Sequence, residues 1–578
     1  MQDTFNLVSE AKAELDAKIV LLKDEIKKLE NTVAKVKSSI GVWYKEDDAE
    51  TAKASIVGAQ NAVSDYKELI PSPYFYKIKL DNFPQKELFI SKFTFPRGNV
   101  YSWVAPVAKL RFQNIGKTNY TLLNGQVIDI QILEKSKFKI RNQELKDLVV
   151  EDVSGVNKYL TDTRSEHKVY GLVDIIEKME AYQDELIRMQ PEGSILISGS
   201  AGSGKTTLAL HKIAYLALSE EFKDVYKPKQ MIVFVQDEGT KDYFNSLLPN
   251  LGIDDVTITT FLSWAKEKLK IDHTVVEHSF AELAKNIILE NAKKRILQHE
   301  IEVEDNSNIF ESLKSTYLRE FEYDEYVLFE EQLTKNILDR YDITILMSAF
   351  LNNNKIEDQE KYSLIAVDEA ENYLPQQISL LKNFINKSTR SIIYIGDLKQ
   401  KTKAFALEKW SEVREVFQEQ NTIKLPKSYR NTRQIIEYLN SKGFTLDIPV
   451  ELKEGPEVIE REIRDLGELV HEISNNLESI DKEILVGIIV DREEIKIKLQ
   501  NMFDEYNVKI LTIIEAQGVE FESVILVNES TQDSDDKLIL GHFELMTEFI
   551  KIKKNLFYVG ATRAMNQLVV INYSTKTG

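Results

Sequence analysis

Apolar residues near the start of the chain recur with a helical spacing of three and four. They form one seam, made of Val8, Ala11, Leu15, Ile19, Leu22, Ile26, Leu29, Val33, Val36 and Ile40. The spacing stops at Gly41 and resumes at Ala52, Ile56, Ala59, Val63, Tyr66 and Ile70. Such alternation predicts paired helices with a coiled-coil seam. We therefore predict an antiparallel coiled-coil hairpin over residues 1–70, and a dimerisation coil fits the same pattern.

The turn between these two helices is acidic. Four carboxylates lie within a few residues of one another, at Glu46, Asp47, Asp48 and Glu50. Mutual repulsion makes such a cluster costly unless something positive lies opposite, so we interpret it as a tip that contacts a partner. A solvated turn is the alternative interpretation.

Short alternating strands follow Pro71, and Asn124-Gly125 between two of them is a tight-hairpin signal. They predict a small β-rich module over residues 71–150. From residue 171, helices alternate with buried strands, which predicts an α/β fold with a parallel sheet. The predicted core strands are Ile195 to Ile197, Met231 to Val235, Leu364 to Val367, Ile392 to Ile395, Ile484 to Val490 and Val524 to Val527. A helical pattern over about 262–360 predicts an inserted helical subdomain.

One loop in this region has the composition of a phosphate-binding loop. The Gly/Ser-rich run follows the first core strand and leads into a helix; its residues are Gly199, Ser200, Ala201, Gly202, Ser203, Gly204, Lys205, Thr206 and Thr207. Backbone N–H groups of such a loop surround phosphate oxygens, while Lys205 reaches the β and γ oxygens and Thr206 binds Mg²⁺. A plain Gly-rich connection is the alternative. We predict a binding site for a nucleoside triphosphate.

Polar residues that follow other core strands complete a candidate hydrolytic site. Asp368 and Glu369 end a buried strand, where Asp368 would hold Mg²⁺ through water and Glu369 would deprotonate the attacking water. Gln400 follows the next strand and would sense the γ-phosphate. Arg430 and Arg563 are candidate arginine fingers. Taken singly, the acidic pair could be a helix cap and each arginine a surface residue.

Composition and charge limit the remaining possibilities. The 578 residues are 43% hydrophobic and contain no cysteine, which excludes disulfides and cysteine-ligated zinc. The chain has no apolar run of transmembrane length, so we expect a cytoplasmic protein without a membrane partner. Its formal net charge of −19 predicts that binding to DNA or RNA is weak, non-specific and confined to a local basic groove.

Six of these motifs together carry a family resemblance. They are Gly199 to Thr206, Asp368 to Ala370, Gly396-Asp397 with Gln400, Ser428 to Arg430, Gln517 to Phe521 and Tyr558 to Ala564. In this order they resemble superfamily 1 helicases of the UvrD/Rep type. Other stretches resemble the HelD type, an RNA polymerase-associated ATPase; these are Tyr182 to Arg188, Thr207 to Leu216, Leu247 to Gly252, Ser72 to Phe75, Trp103 with Ala105 to Ala108, and Trp43 near the acidic tip.

The resemblance implies two RecA-like motor domains, at 151–412 and 413–578, with ATP and Mg²⁺ as cofactors. It also implies that Gln183 recognises adenine, Tyr429 stacks on it and Glu520 contacts the ribose. Three departures stand out: Glu371-Asn372 replace the usual Gln-Asp, Gln517 replaces a lysine, and Ser102 and Val104 interrupt an Asp-Trp-Arg run.

Three functions are compatible with these features. The first is a monomeric HelD-like motor that inserts its hairpin into the secondary channel of RNA polymerase and remodels or releases stalled transcription complexes. The second is a 3'-5' DNA helicase or translocase acting in repair or defence. The third is a nucleotide switch that hydrolyses ATP slowly. The short interval between Arg430 and Thr512, together with the acidity and the hairpin, favours the first.

Overall fold

The chain folds into two compact units. The computed structural model describes residues 2–43, 46–122, 125–152, 155–160, 181–199, 203–272, 274–276, 283–298, 309–335, 337–414, 420–425, 431–448, 450, 452–482, 484–503, 506–517, 519–529 and 543–574. The first unit comprises Met1–Met189, His211–Asp224 and Ser246–Asp254, and the second comprises Gln190–Leu210, Val225–Asn245 and Asp255–Gly578. Within the described ranges, no helix is both long and apolar enough to cross a membrane.

The first unit begins with two helices at the predicted positions, α1 (Gln2–Trp43) and α2 (Glu46–Leu69). A sheet follows, with strands β1 (Tyr76–Asp81), β2 (Glu87–Ser91), β3 (Val100–Ser102), β4 (Gly116–Thr121), β5 (Val127–Arg141), β6 (Glu144–Asp152) and β7 (Gly155–Leu160). The strand order is β3-β2-β1-β5-β6-β7, with β4 paired to β5. The predicted end of this module at residue 150 is wrong, because β6 crosses it and β7 extends the same sheet to Leu160.

The apolar seam of α1 packs against both the sheet and α2. Its first part, at Ala11, Leu15, Ile19 and Leu22, packs into one core with sheet residues that include Phe89. Ion pairs from Lys77 to Glu14 (2.8 Å) and from Arg97 to Glu25 (2.7 Å) flank this core. Leu69 of α2 belongs to the same core, so this part of the seam packs on the sheet as well as on the other helix.

Helix α3 (Ala181–Arg188), which carries Gln183, is anchored to the β-rich module. Arg188 donates to the backbone oxygens of Trp103 and Val104, both at 2.9 Å, and pairs with Asp184 at 2.8 Å. Buried Lys212 donates to three carbonyls at the end of this helix, the closest being Met189 at 2.7 Å. Burial lowers the pKa of Lys212 to about 7. Cations at a helix C-terminus satisfy carbonyls that lack partners within the helix.

The second unit contains the first parallel sheet. Its elements, two of whose helices extend into the first unit, are β8 (Ser194–Ser198), α4 (Lys205–Leu218), β9 (Met231–Val235), α5 (Glu238–Asn250), β10 (Thr257–Thr260), α6 (Phe261–Leu269), β11 (Thr274–Val276), α7 (Leu283–Leu297), α8 (Ile309–Glu320), α9 (Tyr323–Thr334), β12 (Ile337–Asp339), α10 (Arg340–Asn353), β13 (Leu364–Val367), α11 (Pro375–Leu381), β14 (Ser391–Gly396), α12 (Ser411–Arg414) and β15 (Gln420–Lys424). The sheet is parallel, in the order β10-β9-β13-β14-β8-β15. A domain boundary at 412 is therefore wrong, since β15 returns to pair with β8.

The predicted insertion consists of α6 to α10 and one short parallel pair, β11 with β12. A buried ionic cluster lies at its centre. Lys293, whose side chain is fully buried, lies 2.6 Å from Asp339 and 2.9 Å from Asp342, and it donates to Gln332 at 2.7 Å. Burial, reinforced by the charge of Asp342, raises the pKa of Asp339 to about 7.

A second parallel sheet follows along the chain. Its elements are α13 (Arg433–Ser441), β16 (Ile459–Ile463), α14 (Leu466–Ser479), β17 (Val486–Val490), α15 (Glu493–Gln500), β18 (Val508–Thr512), β19 (Phe521–Glu529), α16 (Phe543–Ala561) and β20 (Ala564–Tyr573). The strand order is β16-β20-β19-β17-β18. The two parallel sheets and the helices that follow their strands confirm the predicted α/β fold class. The coiled-coil geometry of the hairpin stays a prediction.

Candidate active site

The described ends of the phosphate loop join β8 to α4. Gly199 follows the last residue of β8, and Lys205 is the first residue of α4. Lys205 Nζ donates to the Gly199 backbone oxygen at 2.9 Å. The amine therefore lies across the loop, where a helix N-terminus adds positive potential for phosphate oxygens.

A side-chain hydrogen bond joins α4 to the end of β13. Thr206 Oγ1 donates to Asp368 Oδ1 at 3.1 Å. Mg²⁺ in nucleotide sites is held by one or two such oxygens, with phosphate and water completing the octahedron. The hard oxygens of Thr206 and Asp368 fit that donor set. Burial and the neighbouring charge of Glu369 raise the pKa of Asp368 to about 7.

Glu369 occupies a strained position beside this pair. Its backbone is left-handed, with φ of 48° and ψ of 44°, which costs a non-glycine residue about 1–3 kcal/mol. Burial raises its pKa, while the positive charges of Lys205 and Arg563 oppose that rise. A carboxylate with a raised pKa accepts a proton from water more readily than an exposed one, as a general base requires.

Glu371, noted from the sequence only as a departure, is fully buried behind Glu369. Among the described residues, its Oε2 has no hydrogen-bond partner. A Cβ at Gly396 would lie 2.1 Å from this oxygen, so glycine is needed there. Burial, followed by the charge of Glu369, raises the pKa of Glu371 well above its usual value, which favours the protonated carboxyl.

Gln400 and Arg563 meet at the site from opposite motor domains. Gln400 lies in a short turn after β14, where its Nε2 donates to Asp397 Oδ2 at 3.1 Å. Arg563 Nη2 donates to Gln400 Oε1 at 3.3 Å, and its Nε donates to the Val559 backbone oxygen at 3.0 Å. Arg563 is 3% exposed, and burial lowers its pKa. The predicted sensor and one predicted arginine finger are thus brought together.

Two departures from the helicase pattern lie in one hydrogen-bonded chain. Asn372 Oδ1 accepts from the Thr402 backbone N–H at 2.8 Å and from its Oγ1 at 3.2 Å. Gln517 Nε2 donates to the same Thr402 Oγ1 at 3.1 Å. These hydrogen bonds join Asn372 and Thr402, which belong to the part of the chain with the first parallel sheet, to Gln517, which belongs to the part with the second. All three side chains are neutral.

The remaining predicted site residues are placed as follows. Gln183 lies on α3 in the first unit, and Glu520 directly precedes β19 in the second. Tyr429, Arg430, Ser200, Ala201 and Gly202 lie outside the described residues, and the side chains of the acidic tip do as well. Their roles, like those of Thr207 and Gln183, stay predictions.

Comparisons with known proteins agree with this geometry. A family model described as "AAA domain" matches residues 183–406, and "UvrD-like helicase C-terminal domain" matches residues 325–575. "ATP-dependent DNA helicase PcrA" of Staphylococcus epidermidis is 25% identical over 46% of this chain and 40% of its own length. "ATP-dependent DNA helicase Rep" of Buchnera aphidicola is 26% identical over 43% of this chain and 42% of its own. This chain therefore spans less than half the length of either relative.

The matches and the geometry of the site agree with one another. Residues 183–406 are similar to an AAA domain, residues 325–575 are similar to the C-terminal domain of UvrD-like helicases, and the relatives include the PcrA and Rep helicases named above. A solved C-terminal domain of a possible DNA helicase from Lactobacillus plantarum is 18% identical over 26% of this chain and 89% of that one, with a TM-score of 0.19. That likeness adds nothing to the assignment.

Proposed function

We propose that this chain is an ATP-hydrolysing, HelD-like motor that binds RNA polymerase through its N-terminal hairpin and uses ATP to remodel or release stalled transcription complexes. The observation that carries the proposal is the way the hairpin is held. Because Ala11, Leu15, Ile19 and Leu22 pack into the sheet of the same chain, this part of the seam is not free to pair with a second copy. That arrangement supports an arm on a monomer over a dimerisation coil.

The length of α1 supports an arm as well. The helix has 42 residues, or about 63 Å at 1.5 Å per residue, while its sheet contacts end near Leu22. The remaining turns lead to the acidic residues at the start of α2. A narrow acidic arm suits a channel that leads to a positively charged site, such as the Mg²⁺ centre of a polymerase.

In the motor, ATP and Mg²⁺ would supply the reacting phosphoryl group and neutralise part of its charge. Lys205 would hold the phosphate oxygens, while Thr206 and Asp368 would hold the metal. Glu369 would take the proton of the attacking water, and Gln400 with Arg563 would stabilise the charge that develops on the γ-phosphate. Repeated closure of the cleft would turn hydrolysis into movement of the motor domains.

The test is binding to purified RNA polymerase. Deleting residues 1–70 would expose the sheet core, so the matched variant removes only 34–55 and rejoins the helices through a short Gly-Ser link. We expect this variant to lose polymerase binding and keep basal ATP hydrolysis. The double substitution Asp47→Asn with Asp48→Asn should impair remodelling more than binding. Polymerase binding as tight as that of the intact chain would contradict the proposal.

A DNA helicase or translocase is the second candidate, favoured by the names of the PcrA and Rep relatives. Against it stands the net charge of −19, which opposes binding to a phosphate backbone outside a local groove. We expect weak DNA binding that falls steeply with salt and depends little on sequence. Processive unwinding of duplex DNA by the isolated protein at physiological salt would establish this candidate instead.

A further inference from the structure

The position of α16 sets the position of Arg563. This helix ends at Ala561, and Arg563 follows two residues later. Arg563 Nε donates back to the Val559 oxygen in the last turn of α16 at 3.0 Å. Because the guanidinium is tied to that turn, any shift of α16 relative to Gln400 changes the contact between Arg563 and Gln400.

One face of α16 packs on the segment that directly follows Gln400. Its apolar residues Leu545, Phe549 and Ile552 form a buried cluster with Ala404 and Ile287. Their spacing of three and four places them on a single helical stripe. Glu548 and Asn555, seven residues apart, lie on the same stripe and are its polar members.

These two polar residues hold both ends of the 401–405 segment. Glu548 Oε1 lies 3.0 Å from Lys401 Nζ and accepts from the Phe405 N–H at 2.9 Å. Asn555 Nδ2 donates to the Lys401 backbone oxygen at 2.9 Å. Lys401 is the residue after Gln400, so one end of the segment is fixed one residue from the predicted γ-phosphate sensor.

The contact between Lys401 and Glu548 orients the two elements more than it stabilises the fold. The Lys401 side chain is 1% exposed and lies 2.5 Å from Glu408 as well as 3.0 Å from Glu548, whose side chain is 12% exposed. Burying these charges costs desolvation that an apolar contact would avoid. Phe405 adopts a left-handed backbone with φ of 55°, which is a further cost for a residue other than glycine. A charged pair is directional, however, and fixes the register of two elements as apolar packing does not.

We propose that Lys401 and Glu548 are positioning residues for ATP hydrolysis. By fixing α16 against the turn after β14, the pair keeps the Arg563 guanidinium on Gln400, so that both groups reach the γ-phosphate together. Neither residue touches the reacting atoms. The inference rests on ATP hydrolysis at Lys205 and Glu369, and it is independent of what the motor acts on.

The test compares two glutamates on one helix in the full-length chain. Glu548→Gln removes the buried charge, while Glu544→Gln makes the same change at an exposed position one turn away. We expect Glu548→Gln to lower kcat about tenfold while KM for ATP stays within about twofold. Affinity for ADP with aluminium fluoride should fall by the same factor as kcat, and affinity for ADP alone should not change. Lys401→Gln should behave like Glu548→Gln.

Two outcomes would overturn the proposal. In the first, Glu548→Gln and Glu544→Gln turn over ATP equally fast. In the second, kcat, ADP affinity and the melting temperature of Glu548→Gln fall together, which is the pattern of a purely structural contact. Absence of hydrolysis by the unaltered chain would instead contradict the enzyme class, and the aluminium fluoride comparison would still decide the role of the pair.

Discussion

Asn372 and Gln517 bind the same hydroxyl, that of Thr402, from opposite motor domains. Helicases of the UvrD/Rep type usually have an aspartate and a lysine at these two positions. Here neutral amides stand at both positions, and each of them still hydrogen-bonds to Thr402. Two departures that look unrelated along the chain therefore meet at one hydroxyl group.

Because Asn372 and Gln517 share the Thr402 hydroxyl, substitutions at these two positions should be energetically coupled. Asn372→Asp alone places an extra charge in a site only 2% exposed and should cost about 1–3 kcal/mol of unfolding free energy. Adding Gln517→Lys supplies an opposite charge and should recover about 1 kcal/mol of that loss. Denaturant unfolding of the four chains in the cycle measures the coupling. Strictly additive effects would mean that the two positions do not interact.

The acidic residues after β13 should differ sharply in their response to the same substitution. Glu369→Gln removes the general base, so kcat should fall by about 10²–10⁴ while ATP still binds. Glu371→Gln replaces a carboxyl whose raised pKa favours the neutral form with a group of the same shape, and kcat should stay within about threefold.

Steady-state hydrolysis and ATP binding by the two variants provide the check, with Lys205→Ala as the variant that loses productive binding. Normal turnover by Glu369→Gln would remove the assignment of the base. A loss in Glu371→Gln as large as that in Glu369→Gln would show that Glu371 works in its charged form.

The buried cluster of the insertion should make stability depend on pH. The pKa of Asp339 is raised to about 7, so the folded state binds its proton more tightly than the unfolded state, where the value is near 3.8. This contribution to stability is complete below about pH 4 and is lost as the pH rises through about 7. Removing Lys293 should raise the carboxyl pKa values further and increase the loss at high pH.

Lys293→Met should therefore lower the free energy of unfolding by about 3–5 kcal/mol near pH 7.5 and by clearly less near pH 5.5. Lys335→Met, at an exposed position of the same subdomain, is the matched control and should change little at either pH. Equal losses for Lys293→Met at both pH values would rule out an uncompensated carboxylate as the cause.

A methyl group at Gly199 should disturb the phosphate loop. Its Cβ would lie 2.6 Å from Ser203 Oγ and 3.1 Å from the Leu425 Cβ. Gly199→Ala should therefore weaken ATP binding by about tenfold or more, measured by titration with a fluorescent ATP analogue. Gly58→Ala meets no atom within 4 Å on α2 and should instead stabilise the chain by about 0.5–1 kcal/mol. Unchanged ATP affinity in Gly199→Ala would show that the loop can move away from Leu425.

Strand positions are predicted best from the sequence where burial of apolar side chains alone decides them. Met231–Val235 and Leu364–Val367 match their predicted bounds because parallel strands buried on both faces are continuous apolar runs. The place of Asp368 and Glu369 at the carboxyl edge of the sheet is predicted for the same reason, because they directly follow the second of these strands.

Other features depend on partners that are distant along the chain. Strand β15 has the sequence QNTIK, with one apolar residue, and its place beside β8 depends on backbone pairing that no side-chain pattern reveals. Lys401 and Glu548 are 147 residues apart, and each looks like an ordinary surface charge in sequence. The packing of the α1 seam on the sheet could not be predicted, because periodicity shows that a face is buried but not which element covers it.

The return of β15 to the first sheet has a mechanical consequence. Leu425 donates its N–H to the Ser198 oxygen at 2.8 Å, directly before the phosphate loop, and Arg430 follows only five residues later. The covalent link to the second parallel sheet therefore starts beside the predicted phosphate loop. Because this hydrogen bond joins Leu425 to the residue before the loop, a displacement of the loop would reach the start of the link first.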